Sequence, residues 1–243
     1  MVKAKPPLYA LTMSNDKLPS KSSRQDIDQF LQTAAKTPVA AHQPGRLLFA
    51  LDATASRQPS WDTACQLHSE LFLATRDLGG LAIQLCYYRG FNEFHAQPWV
   101  SNADGLLRAM NGVRCLGGHT QIRKVLKQAI SETRRQPVKA VILVVDCCEE
   151  SADELCQLAG ELGLLNTPVF VFQEGNEPTA SNIFAQLAQL SGGAHSAFDH
   201  RSPALLKALL GAVAVYASGG RTALDNFSRS APAEVKRLTQ QLK

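Results

Sequence analysis

The sequence has no Cys-x-x-Cys pair and no Gly-x-x-x-x-Gly-Lys loop, and the second absence excludes a P-loop for nucleotide phosphates. Aromatic residues are scarce, with two Trp and four Tyr, and no Lys/Arg run is interleaved with them. A nucleic-acid surface therefore has no footprint beyond a formal charge of +4 and a pI near 8.8. The N-terminal stretch MVKAKPPLYALTMSNDKLPSKSS lacks an apolar core of signal-peptide length, and no uninterrupted run approaches the 18 apolar residues of a membrane span. Four of the six cysteines lie in apolar strand or helix patterns, as reduced buried thiols do, and neighbours such as Cys147 and Cys148 are poorly placed to bridge each other. A cytoplasmic protein with neither nucleic acid nor membrane as partner is expected.

What is present is a globular composition over 243 residues, 45% apolar and 19% charged, enough for one sizeable core. Residues 1–45 read as a Pro-, Lys- and Ser-rich arm followed by a short helix from Ser22 or Ser23 to about Lys36. From Arg46 strands and helices alternate. RLLFALD (46–52) is a continuous apolar run ending in a carboxylate, and AVILVVD (140–146), the most hydrophobic segment, predicts a central strand. LAIQLCYYR (81–89) and PVFVFQ (168–173) predict further strands, with weaker ones at 94–100, where Pro98 demotes the segment to an edge, and at 194–198. Helical spacing covers 60–78, 119–135, 151–163, 179–190 and 202–217, with a short helix from Ser101 or Asn102. The pattern predicts an α/β domain over 46–218, a mostly parallel sheet with helices on both faces, followed by a helical tail over 219–243.

In such sheets ligands bind beyond the carboxyl ends of the strands. The loop after the first strand reads Asp52-Ala53-Thr54-Ala55-Ser56, and an extended loop would turn its three oxygen-bearing side chains to one side. Asp146 ends the central strand at the same edge, and a Gly117-Gly118 turn brings His119 and Thr120 there at the start of a helix. Two carboxylates and three hydroxyls form a hard oxygen donor set suited to Mg²⁺ or Mn²⁺, with a coordination position left open. Other readings stand beside it. Asp52 and Ser56 can cap the following turn, Thr120 can be a helix N-cap, and Asp146 can be a structural carboxylate, although two facing carboxylates without a cation repel. The acidic run Glu149, Glu150, Asp153 and Glu154 fits a solvated helix N-terminus.

D-x-T-x-S after a buried strand, G-G-H-T-Q-I opening a helix, and V-I-L-V-V-D together resemble the von Willebrand factor A (VWA) domain and its metal-ion-dependent adhesion site, over about residues 46–217. The resemblance implies a Rossmann-like three-layer sandwich of five parallel strands and one antiparallel edge strand. It implies Asp52, Thr54, Ser56, Thr120 and Asp146 as ligands of Mg²⁺ or Mn²⁺, and metal-dependent binding of a partner protein's Asp or Glu without catalysis. It implies an adaptor or subunit of a larger assembly, in a bacterial protein. Thr54 stands where the family has Ser, and Cys147 where it often has Gly. A metal-free scaffold on the same fold is the alternative. The stretch Asp146-Cys147-Cys148 also resembles the nucleophile strand of metacaspase-type peptidases, with Cys148 as nucleophile and His119 as base. The Gly-His-Gly turn and His-Ser-Gly stretch of that family are missing. A haloacid-dehalogenase-type phosphatase would need a second Asp where Thr54 stands.

Overall fold

The computed structural model describes residues 44–199 and 202–242, together with Arg24. The arm and the helix read at 22–36 therefore lie outside the described residues, Arg24 apart. Six strands form one sheet in the order β3-β2-β1-β4-β5-β6. They are β1 (Gly45–Asp52), β2 (Leu81–Arg89), β3 (Glu93–Ala96), β4 (Ala140–Val145), β5 (Val169–Glu174) and β6 (Ala194–Phe198). All neighbours pair in parallel except β2 with β3. This is the Rossmann-like sandwich with one antiparallel edge strand.

The continuous apolar runs of β1 and β4 follow from burial on both faces, and period-two alternation sorts their side chains. Leu47, Phe49, Leu51, Ile142, Val144, Phe170 and Phe172 face one core. It is covered by α1 (Gln58–Leu73), α2 (Ala103–Asn111), α6 (Pro203–Ser228) and α7 (Ala233–Gln241). Leu48, Ala50, Tyr88, Val141, Leu143, Val145 and Val171 face the other core. There they meet α3 (Ile122–Arg135), α4 (Ala152–Leu164) and α5 (Pro178–Ser191).

Several boundaries differ from the sequence reading, among them the helix read over 60–78, which ends at Leu73 before a 3-10 turn at Arg76–Leu78. The edge strand stops at Ala96, and the chain touches the sheet again only where Val100 bridges Ile83, with Pro98 between them. The helix after the Gly-Gly turn starts at Ile122, leaving His119 and Thr120 in the loop. The last long helix does not end near 217. It runs to Ser228 across a break at Gly220 (φ 68°, ψ −165°), because Leu224 beyond the break returns to the core. That helix is long and apolar enough by composition to cross a membrane, although Lys207, Gly and Ser residues interrupt its apolar runs. Half of its most apolar stretch is buried in the fold, and Leu206, Leu209, Leu210, Val213 and Ala217 pack into the first core.

The segment 219–243, read as a helical tail, ends in α7, whose Val235 and Leu238, with Leu242 just beyond, are buried in that same core. Gln241 also ties α7 to the outer edge of the sheet. Its amide accepts from His195 N–H (2.9 Å) and donates to His195 carbonyl (3.0 Å) on β6. Leu238 is fully buried, so Leu238→Ala is expected to cost about 2–5 kcal/mol in chemical denaturation. An unchanged unfolding midpoint would mean that α7 is a detachable tail.

Candidate metal site

Asp52, Asp146 and Glu174 sit at the carboxyl ends of three adjacent strands. The register sets Leu51 beside Val144 and Val145 beside Gln173, so the three acids emerge together at one edge. Asp52 is only 2% exposed. Its Oδ1 accepts the backbone N–H of Thr54 at 2.7 Å, which folds the loop back on the strand end. Thr54 is extended (φ −71°, ψ 163°), but residues Ala55–Arg57 form a 3-10 turn. The loop is therefore not extended through Ser56, as the sequence reading had it. The turn nevertheless brings Ser56 Oγ within 3.4 Å of Thr54 Oγ1, and Ser56 Oγ donates to Asp146 Oδ2 at 3.2 Å. Asp52, Thr54, Ser56 and Asp146 are thus linked.

Thr120, in the second loop, bonds Glu149 and is not linked to those four by a hydrogen bond. It is buried, and it forms a reciprocal pair with Glu149: its N–H donates to Glu149 Oε2 (3.0 Å), and its Oγ1 accepts Glu149 N–H (3.1 Å). Thr120 is not the cap of α3. That role falls to Glu150, whose carboxylate accepts the N–H groups of Ile122 and, at 3.0 Å, Arg123. Glu149 and Glu150 therefore serve the neighbouring loop and helix, and not simply the start of their own helix. Gly118 is required for close approach: a Cβ there would lie 1.9 Å from the Gly90 carbonyl oxygen. Leu116 N–H donates to the Ala53 carbonyl (3.0 Å), which pins the second loop to the first.

The sequence reading missed Arg57 and Glu174. Arg57, 2% exposed, donates through Nη1 to Glu174 Oε2, and Ser60 Oγ donates to the same oxygen. Burial lowers the Arg57 pKa from its ordinary value, opposed by the charges of Asp146 and Asp52. Among the described residues, four buried side-chain polar atoms lack a hydrogen-bond partner: Asp52 Oδ2, Asp146 Oδ1, Arg57 Nε and the Tyr88 hydroxyl. All four belong to this corner. Tyr88 lies beside Asp52 across β1 and β2, and burial, then the charges of Asp52, Glu150 and Asp146, hold its hydroxyl well above the usual range. Buried polar atoms are normally paired, so such a concentration marks a place for an ion or ordered water. The two carboxylate oxygens with the nearby hydroxyls fit a hard divalent cation. Among the described residues no three His, Cys, Asp or Glu side chains are grouped so as to hold a metal ion, so hydroxyls would have to complete any ligand set at this corner.

The Cys148–His119 pairing is not brought together. Cys148 Sγ contacts the Glu150 carbonyl (3.8 Å), and burial pushes its thiol up. His119 contacts Glu149 Oε2 (3.2 Å) and meets Phe91 edge-on. A nucleophilic thiol needs the opposite shift.

A six-stranded sheet in this order, with three loops meeting at its carboxyl edge, has the von Willebrand factor A fold. Solved structures of that fold match the chain. A von Willebrand factor type A protein from Catenulispora acidiphila matches with TM-score 0.58 and 16% identity over 73% of this chain and 43% of its own, so the chain spans less than half of that protein. The SpRpn10 VWA domain matches with TM-score 0.54 and 13% identity, over 69% of this chain and 94% of its own. Proximal thread matrix protein 1 from the mussel byssus, with a zinc-occupied MIDAS motif, matches with TM-score 0.54 and 15% identity, over 72% of this chain and 47% of its own. At these identities the likeness establishes the fold. No family model matches the sequence, and no curated protein does.

Burial raises the Asp52 carboxyl from 3.8 to about 6, more than hydrogen bonding from Thr54 lowers it, and the Asp146 charge adds to the rise. A carboxyl whose folded value is raised costs stability once ionised. The cost is absent below the unfolded value, grows as pH rises between the two values, and is complete above about pH 6. In metal-free buffer, Asp52→Asn is therefore expected to be more stable than the wild type at pH 7.5, by on the order of 2–3 kcal/mol. The gap should close below about pH 4, where Asp52 is protonated in both folded and unfolded states. Urea unfolding across this range checks it, and a less stable Asn variant at pH 7.5 contradicts it.

Proposed function

We propose that the protein is an interaction module that holds Mg²⁺ or Mn²⁺ between Asp52, Thr54, Ser56, Thr120 and Asp146, and through it binds an Asp or Glu of a partner protein. The observation that carries this reading is the pair of buried, unpartnered carboxylate oxygens, Asp52 Oδ2 and Asp146 Oδ1, next to two linked hydroxyls. Leaving two such buried oxygen atoms unpaired is unfavourable, and a hard cation satisfies both at once. When bound, the ion supplies positive charge and an open position for an incoming carboxylate. The chain's own residues orient that position. Asp52 is fixed by the Thr54 N–H, Ser56 bridges Thr54 to Asp146, and the Thr120–Glu149 pair fastens the second loop.

The mussel byssus protein, with zinc in its MIDAS motif, supports a divalent cation on this fold. We read the role as non-catalytic, in an adaptor or subunit of a larger assembly, with no nucleic acid or membrane as partner. Six free cysteines support a reducing, cytoplasmic setting. We also read residues 1–45 as a further contact surface, whereas the end of the chain, from Leu224 on, packs into the core of the binding domain itself.

One observation favours a metal-free scaffold instead: Arg57, paired with Glu174, is a buried cation that feels the charges of both carboxylates. Calorimetric titration separates the two. Mg²⁺ or Mn²⁺ is expected to give saturable heat with the wild type and none with Asp52→Ala. Partner capture from cell extract is expected to fall when chelator is added. No saturable heat with either ion in the wild type, or equal capture with and without chelator, would favour the scaffold.

A further inference from the structure

Three carboxylates and one guanidinium share the carboxyl edge of β1, β4 and β5. Asp52 and Asp146 carry the unpartnered oxygens, whereas Glu174 is committed to Arg57 and Ser60. Ser56, Arg57, Asp146 and Glu174 line one open cavity of about 910 Å³. Asp52, Asp146, Glu174 and Arg57, when ionised, leave two negative charges in excess at the strand ends themselves, the charge that one divalent ion cancels; Asp199, Glu234 and Arg237 line the cavity from later positions in the chain. Arg57 is the variable in this balance. Its guanidinium is paired with Glu174 and feels the charges of Asp146 and Asp52, and its Nε has no hydrogen-bond partner. Without Glu174 the nearest remaining anions for it are the two carboxylates that a metal would need.

We infer that Glu174 is a positioning residue for the metal site: by anchoring Arg57 at the end of β5, it keeps the guanidinium off Asp146 and Asp52 and sets the corner's charge for a dication. This rests on the metal reading above. Glu174 is not a ligand in this account, and Arg57 opposes the metal rather than assisting it. The shared oxygen Oε2 suits the anchoring task, since Ser60 at the start of α1 fixes it from a second side.

The test is Mn²⁺ affinity measured by calorimetry for the wild type, Glu174→Gln, Glu174→Asp, Arg57→Met and the double variant Arg57→Met/Glu174→Gln. Circular dichroism on each variant establishes that it is folded. Glu174→Gln keeps the shape of the side chain but frees Arg57, and Mn²⁺ affinity is expected to fall by about tenfold or more. Arg57→Met is expected to bind more tightly than the wild type. The double variant restores the wild-type charge and is expected to return to within about threefold of wild-type affinity. Glu174→Asp, which keeps the charge, is expected to bind better than Glu174→Gln. Wild-type affinity in Glu174→Gln, or a double variant as weak as Glu174→Gln, overturns the inference while leaving the metal reading intact. Absence of Mn²⁺ binding in the folded wild type overturns both.

Discussion

Burying one carboxylate, Asp52, and half-burying a second, Asp146, at the ends of neighbouring central strands is the constraint around which this edge of the molecule is organised. Asp52 is held there by a strand buried on both faces, so it cannot retreat to solvent without disturbing β1, and Asp146 follows directly on the equally buried β4. The surrounding groups each answer to that constraint. Thr54 N–H and Ser56 Oγ each satisfy one carboxylate oxygen, and Arg57 supplies a compensating charge. One oxygen on each acid is left without a partner. A site that is incompletely satisfied by its own chain is suited to an external ligand, and the fold fixes its direction of approach, from beyond the strand ends.

The architecture was largely legible in the sequence because parallel strands buried on both sides write themselves as unbroken apolar runs. RLLFALD and AVILVVD are neighbours in the sheet, and the alternation of strand and helix left little freedom for another topology. The association of Asp52, Thr54, Ser56 and Asp146 was legible too, although the extended loop expected for it is in fact a tight turn. What was not legible depended on contacts far apart in the chain. Arg57 follows the motif directly and looked like an ordinary polar residue, because its partner Glu174 lies 117 positions away. Glu149 and Glu150 precede a helix whose dipole would welcome them, so nothing local revealed that they hold Thr120 and the start of α3. A signal was present in retrospect: three predicted parallel strands ended in or next to an acid, and one Arg lay among their loops.

The helix break at Gly220 has a similar lesson. Composition placed the end of the domain close to the Gly-Gly pair, where a helix would ordinarily stop. The chain instead bends and carries Leu224, Val235, Leu238 and Leu242 back to the first core. Apolar residues spaced along an amphipathic helix give the face that is buried but not the surface that receives it.

The bidentate clasp between Gln241 and His195 has a further consequence for how the protein meets other chains. An exposed sheet border is a template on which a foreign strand can zip up through main-chain hydrogen bonds. Along β6 the outward-facing amide and carbonyl of His195 are already taken by a side chain that mimics such a strand. Recruitment by sheet extension is thereby obstructed at that residue, and runaway polymerisation along this border is discouraged without any charged gatekeeper. Loosening α7 would uncover the template.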